Sequence, residues 1–193
     1  MICQVRSYVA GIHLIVQGAV SDMMLTQEGE PRNCDILGAG DLIGIEILER
    51  DSAGLSISLC RALTSVDLLF IERNQLASAL DDDRALQRAL FQYAVSRVVH
   101  TRNDPRQQAS VEARLCSLLL RFEETCGLPG EGGSIALPAE ISQRTLGELL
   151  CISTRQLRQA KQAIQSLEMC ESGIEFDSDE VRHIINSEFP AAA

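Results

Sequence analysis

"ISQRTLGELLCISTRQLRQAKQAIQSLE", residues 141–168, is the stretch whose reading decides the fold. Ser142 is suited to cap a helix over "QRTLGELL". Gly147 falls inside that helix, where glycine costs about 1 kcal/mol relative to alanine. Close approach of another helix is the expected reason for it. The pattern breaks at Cys151 and Ile152, and Ser153 and Gln156 then have the S-x-x-Q spacing of a capping box. On the helix so started, Leu157, Ala160, Ile164 and Leu167 share one face, and Thr154, Arg155, Arg158, Gln159 and Gln162 lie mostly on the others. Two short helices, a tight turn and a polar second helix make a helix-turn-helix.

The polar face is chemically suited to DNA. Arginine can bond guanine in bidentate fashion, glutamine can bond adenine, and any basic side chain can neutralise phosphate. Residues 153–167 contain Arg155, Arg158 and Lys161 and no acid, a local charge of +3 in a chain of formal net charge -10. A solvated helix can also carry three basic residues without touching nucleic acid. The acidic balance argues against a non-specific coat on nucleic acid but leaves a local basic surface open.

Upstream, residues 1 to about 70 read as short strands. "HLIVQGAVSDMMLT" (13–26) is apolar on both sides of Gly18, and "QEGEPRN" (27–33) is turn-rich. "CDILGAGDLIGIEIL" (34–48) sets glycines between apolar residues, and "LSISLCRALTSVDLLFIE" (55–72) alternates. Short strands at this spacing predict a sandwich or barrel-like roll. After residue 73 the period lengthens, with Leu76, Leu80, Leu86, Leu90, Tyr93, Ala94 and Val98 three and four apart. Asn74 is expected to cap a short first helix, and the Asp81–Asp83 run suits the start of a longer one. A helix over 84–101 is expected to pack on its own roll and on a partner helix. Pro105 within "RNDPRQQ" predicts a hinge. A further helix follows, capped by Ser110 and stopped by Gly127; then "LPGEGGS" reads as a loop or hairpin tip and "IALPAE" as a short strand or extended link. Glu171, Ser172 and Gly173 read as a hairpin turn, and "SDEVRHII" as a closing helix.

Composition bounds the alternatives. At 193 residues the chain can hold one large domain or two small ones, with aliphatic cores because Trp is absent. "GIHLIV" lacks the flanks of a secretory signal, and no apolar run reaches the roughly 18 residues of a membrane span, so a cytoplasmic protein without membrane contact is expected. Seven cysteines without C-x-x-C spacing read as small buried apolar residues rather than metal ligands. His13, His100 and His183 stand alone. No nucleophile elbow, phosphate-binding loop or zinc-protease motif appears, so no catalytic residue, metal site or enzyme activity is expected.

The order of parts resembles the Crp/Fnr family of bacterial transcription regulators. The resemblance spans nearly the whole chain and is strongest in "LIVQGAV" (14–20), "GAGDLIG" (38–44) and residues 141–164. "RLCSLLLRFEETCGLPGEGG" (114–133) also resembles the cyanobacterial nitrogen-regulator branch. The resemblance implies an α+β chain with a cyclic-nucleotide-binding-like β-roll over 1–73, linking and dimerisation helices over 74–105, and a C-terminal winged helix-turn-helix over 106–193. It also implies a homodimer on double-stranded DNA. Leu86, Leu90, Tyr93, Ala94 and Val98 are the expected dimer contacts. Arg155 and Gln159 are the expected base readers, with Thr154, Arg158 and Lys161 on phosphate or secondary contacts, and Ser142 and Ser153 at the helix starts.

The departures are informative. The family's frequent Ser-Arg-Glu-Thr-Val start is here Ser153-Thr154-Arg155-Gln156-Leu157, so the common half-site does not carry over. Gly44 is followed by Ile45, with Glu46 one residue late, and "GLSISLCRAL" lacks the Arg-Ser pair that holds a cyclic phosphate. Cyclic-AMP dependence is therefore not expected; no cofactor is, and a small-molecule effector is left unidentified. The iron–sulfur cysteine cluster is absent, Cys3 standing alone. The roll begins about 30 residues late for the family, which predicts a smaller roll with a cavity open or filled by Met23 and Met24. From Glu168 to Glu188 seven acidic residues face one arginine, Arg182, so DNA contact should come from about 142–162. A second reading stays open: a regulator-shaped adaptor that binds RNA polymerase or another regulator without holding DNA itself.

Overall fold

Alternation of period two folds the N-terminal part into two antiparallel three-stranded sheets. β1 (Gly11–Gln17) lies between β4 (Leu42–Ile43) and β6 (Asp67–Glu72), and β2 (Val20–Leu25) lies between β3 (Pro31–Leu37) and β5 (Leu59–Ala62). The computed structural model describes residues 1–5, 7–26, 29, 31–48, 55, 56, 58–102, 109–170 and 173–188. The chain turns from β1 to β2 at Gly18, with φ of +96°, and a Cβ there would lie 2.2 Å from the Ser65 carbonyl oxygen. Only glycine serves at that position. Ile15, Val20, Leu37, Ile43 and Cys60 fill one apolar cluster of the roll, and Val9, Ile12, Ile47 and Leu76 a second.

Two helices follow without a loop, α1 (Arg73–Asp82) and α2 (Arg84–Arg102). Asp83 separates them and caps α2, its Oδ1 accepting from the Ala85 and Leu86 amides at 2.7 and 3.1 Å. Asn74, in contrast, does not cap α1. β6 runs straight into the helix, so Glu72 is the N-cap and makes no side-chain cap bond, and the Asn74 amide donates to Glu72 Oε1 at 3.1 Å. The hinge expected at Pro105 and the turn residues Glu171 and Ser172 lie outside the described residues.

The C-terminal part begins with α3 (Val111–Cys126), capped by Ser110, whose Oγ accepts from the Ala113 amide at 3.1 Å. Gly127 ends it in extended rather than left-handed conformation. β7 (Leu128–Pro129) and β8 (Ile135–Leu137) pair, so "LPGEGGS" is a hairpin tip. α4 (Gln143–Leu150), α5 (Thr154–Lys161), β9 (Glu168–Cys170), β10 (Gly173–Phe176) and α6 (Ser178–Glu188) complete the described chain, with the strands ordered β7-β8-β10-β9.

The face of α3 made by Leu115, Leu118, Leu119 and Phe122 is buried completely, as its three-and-four spacing requires. Leu146, Leu149, Leu157, Ile164 and Phe176 pack in the same cluster, and so do Ala19, Ile36 and Leu63 of the roll. The roll and the helix-turn-helix therefore share one continuous apolar core. The cysteines divide: Cys60 and Cys116 are buried, Cys3, Cys34 and Cys126 half-buried, and Cys151 and Cys170 exposed. The two exposed thiols correct the expectation of uniform burial, because one sits in a turn and the other on the edge strand β9. Burial pushes the Cys116 thiol up to about 12 and that of Cys126 to about 11.

Ile36→Ala removes a side chain that belongs to the roll by sequence and to the α3 core by packing. It is expected to cost about 2–5 kcal/mol, with probes in the roll and in the helix-turn-helix shifting together in one thermal transition. Separate transitions, only one of them shifted, would show that the core is not shared.

Candidate nucleic-acid interface

The helix-turn-helix is held by local bonds at every joint. Ser142 Oγ accepts from the Thr145 amide at 3.2 Å, and Thr145 Oγ1 lies 3.4 Å from the Ser142 amide. These close a capping box in which threonine replaces the usual Glu or Gln, which is why the sequence showed only its first half. At the turn Cys151 takes the left-handed conformation, φ 53°, and the Ile152 amide donates to the Gly147 carbonyl at 3.0 Å. A Cβ on Gly147 would lie 3.4 Å from the Ile152 carbonyl oxygen. What approaches Gly147 is thus the backbone of the turn and not another helix. The Arg114 guanidinium of α3 donates to the Leu150 carbonyl, satisfying an end group of α4. Gln143 Nε2 donates to the Met169 carbonyl at 3.0 Å, tying α4 to β9.

Ser153 and Gln156 form the expected box: Ser153 Oγ accepts from the Gln156 amide at 3.3 Å, and Gln156 Oε1 accepts from the Ser153 amide at 2.9 Å. α5 is shorter than the apolar spacing implied. It stops at Lys161, after which the amides of Gln162, Ala163 and Ile164 bond three residues back. The Glu180 carboxylate then takes the Gln165 and Ser166 amides, both at 2.8 Å. Slight burial acts to raise the Glu180 carboxyl, but the bonds from Ser166 and Gln165 hold it below its usual range. Ile164 and Leu167 remain buried beyond the helix end.

With Leu157 and Ala160 in the core, the opposite face of α5 is fixed outward. Ser153, Thr154, Arg155, Arg158, Gln159 and Gln162 are exposed, and Lys161 is half-buried. None of Arg155, Arg158 and Lys161 makes an ion pair with a described residue, whereas Arg61, Arg97, Arg121, Arg144 and Arg182 each hold a carboxylate. Ser142 stands exposed at the start of α4, beside Arg144, which the sequence reading passed over. Arg144 projects into solvent and pairs with Glu148 at 2.8 Å, an i,i+4 spacing visible in the sequence. In the wing, Glu168 and Glu175 stand directly opposite each other across β9 and β10.

α2 presents two faces. Leu90, Tyr93 and Ala94 are half-buried toward the roll, and Tyr93 Oη accepts from the Leu42 amide at 2.9 Å and donates to Asp41 Oδ1 at 3.3 Å. Leu86 and Val98 are exposed, and so are Phe91, Val95 and Val99, which the sequence reading did not single out; Phe91 and Val98 also border the space between α2 and the roll. Phe91, Val95, Val98 and Val99 have the i, i+4, i+7, i+8 spacing of one stripe. Between α2 and the roll lies a cavity of about 930 Å³. Its wall is mainly apolar, Met24 among it, with Asp22, Glu46 and Arg97 as charged groups. Met24 lines the space without filling it. Arg97 holds Asp22 and Asp35, so the cavity's cation already has two carboxylates. His13 packs against Phe70 in a tilted arrangement, 5.0 Å between ring centres, and no cluster of metal-ligating side chains occurs among the described residues.

No family model and no curated protein sequence matches this chain. Its likeness is to solved structures. FixK2 from Bradyrhizobium japonicum is 18% identical, with a TM-score of 0.72 over 100% of this chain and 93% of that one. A CRP/FNR-family transcriptional regulator from Thermus thermophilus is 17% identical, with a TM-score of 0.75 over 97% of this chain and 94% of the other. A CRP-family regulator from the same organism is 14% identical, with a TM-score of 0.76 over 99% and 95%. The chain therefore has the fold of the Crp/Fnr transcription regulators. Its parts are the cyclic-nucleotide-binding-like roll, the long helix and the winged helix-turn-helix.

Two substitutions test the turn. Cys151→Gly removes left-handed strain from a residue with a Cβ and is expected to stabilise the protein by about 1 kcal/mol. Gly147→Ala meets only ordinary contact and is expected to add up to about 1 kcal/mol through helix propensity. Chemical denaturation measures both, and a loss of stability in Gly147→Ala would show that the Ile152 carbonyl leaves no room for a Cβ.

Proposed function

We propose that this chain is a sequence-specific, DNA-binding transcription regulator that works as a homodimer. One observation carries the reading: α5 is locked by its apolar face and holds a row of basic and amide side chains outward, with Arg155, Arg158 and Lys161 in no ion pair with a described residue. Such a row can meet base edges and phosphates at no cost of broken internal bonds. Arg155, in the first turn, and Gln159, one turn on, are the base readers; Thr154, Arg158 and Lys161 serve phosphate or secondary contacts. Ser142 and Ser153 bring the starts of α4 and α5 to the backbone, and Arg144 joins them.

The apolar stripe Phe91, Val95, Val98 and Val99 is the main pairing surface, and Leu86 adds to it from the face of α2 that carries Leu90 and Tyr93. Leu90, Tyr93 and Ala94 support it from the roll side. Pairing would set two α5 helices in successive major grooves, roughly 34 Å apart along a near-palindromic site. The cavity does not favour a cyclic phosphate, since its arginine is occupied and Asp22 and Glu46 add negative charge. Contact with RNA polymerase is the expected route to regulation. The acidic wing favours a second reading, an adaptor that meets another regulator instead of DNA.

Selection of genomic fragments on the purified protein at two salt concentrations separates the readings. A regulator enriches a motif, and its binding weakens steeply with salt. Arg155→Ala is expected to reduce affinity for the selected site by about 10- to 100-fold, the range of one bidentate contact. An adaptor enriches nothing at low salt. Val95→Glu is expected to convert a dimer to a monomer in sedimentation, and unchanged mass would remove α2 as the pairing helix.

A further inference from the structure

Asp35 on β3 is buried, and it is shared by two arginines from opposite sides. Its Oδ2 pairs with Arg97 Nη1 of α2. Its Oδ1 takes Arg121 of α3 through Nε at 3.0 Å and Nη2 at 2.9 Å, and also accepts from the Ile36 amide at 2.8 Å. Arg121 reaches on to the Ile36 carbonyl at 3.1 Å and to Glu124 at 2.8 Å. Arg97 reaches back to Asp22 at 3.3 Å and forms part of the cavity wall.

We propose that Asp35 is a positioning residue that couples α2 and the cavity wall to α3, so that the placement of the DNA-binding half follows that of the long helix. Asp22, Asp35, Arg97 and Arg121 carry two charges of each sign and are mostly shielded from water, with Glu124 on Arg121 at the exposed edge of the group. In such a group, displacement of one member leaves another charge buried without its partner, which is strongly unfavourable. If Arg97 moves with α2, Asp22 loses its guanidinium, and Asp35 keeps Arg121 as its only charged partner among the described residues, beside the Ile36 amide. The Arg121 geometry is fixed in turn by the Ile36 carbonyl, and Ile36 lies in the core with Leu119 and Phe122. Movement of α2 is therefore felt in α3 through charge as well as packing. Burial works against both guanidinium charges, yet the Asp35 carboxylate leaves both arginines above their ordinary range. A group entering the cavity that competes for Arg97 would act on the same joint. This coupling belongs to the free protein and needs no DNA, so it stands or falls apart from the regulator reading.

Amide hydrogen exchange on the full chain tests it in a mutant cycle. Arg97→Gln is expected to speed exchange in α3, around 118–122, by about 10-fold, with exchange in β1 unchanged. In an Asp35→Asn background the same substitution is expected to change α3 exchange by less than about twofold, because the shared partner is already gone. Should Asp35→Asn fold poorly, Arg121→Gln provides the second background, with the same expectation, and Arg121→Lys is expected to restore part of the coupling. Three results would overturn the proposal: no change in α3 on Arg97→Gln, an equal rise in β1 that marks global loss of stability, or the same multiplicative effect in both backgrounds.

Discussion

The burial of α3 is the constraint on which the rest of this molecule depends. Leu115, Leu118, Leu119 and Phe122 are inaccessible to water on one helix, each contributing about 1.5–3 kcal/mol by burial. That single face collects α4, α5, β10 and, from the other end of the chain, Ala19, Ile36 and Leu63. The flanks of α3 carry the polar fasteners. Arg114 reaches the Leu150 carbonyl at the helix-turn-helix, and Arg121 reaches Asp35 on the roll. The direction of α5 is thus set by a helix that answers to both halves of the protein.

The acidic character of the chain has a structural use that its net charge conceals. Glu180 takes the free amides after α5, Glu188 takes the Ser110 amide and hydroxyl at the start of α3, and Glu123 takes Arg182 and the Ser178 hydroxyl. Carboxylates near helix ends of this kind hold the fold while leaving the α5 surface free of acid. Screening over about 8 Å at physiological salt then separates the two signs of charge. The basic face of α5 can act locally even though the wing strands beside it carry Glu168 and Glu175. The same arrangement sets negative charge on the wing and leaves the outward basic side chains on one helix and at the start of its neighbour.

What could be read in the sequence was local. Ser110, Ser142 and the Ser153–Gln156 pair announce helix starts because a cap bonds to an amide two or three residues on. The Asp81–Asp83 run could be read through the helix dipole, and Asp83 is the member that caps α2. Asn74 misled because the strand before it passes directly into the helix, a fact set by the pairing of β6 with β1. The end of α5 at Lys161 depends on Glu180, nearly twenty residues on, and the apolar spacing of Ile164 and Leu167 continues past it. The two faces of α2 could not be told apart by spacing: Leu90, Tyr93 and Ala94 fit a helical period as well as Phe91, Val95 and Val99 do. Only the position of Asp41 and Leu42 decides which of the two turns inward. The Asp35 junction was beyond reading, since its arginines lie 62 and 86 residues away.

The division of labour within α5 follows from its hydrogen bonds. Gln156 has the side-chain type and exposure of a base reader, but its Oε1 accepts from Ser153, so it belongs to the cap. Leu157 and Ala160 belong to the core. What is left outward is Thr154, Arg155, Arg158, Gln159 and Gln162, and none of these is needed to form the helix. The residues that make the motif and the residues that would read a sequence are therefore separate sets. This explains how the start of the helix can depart from the family's frequent pattern at Thr154 and Arg155 while the fold is kept. Specificity can change on such a helix without cost to stability, provided that Ser153, Gln156, Leu157 and Ala160 stay.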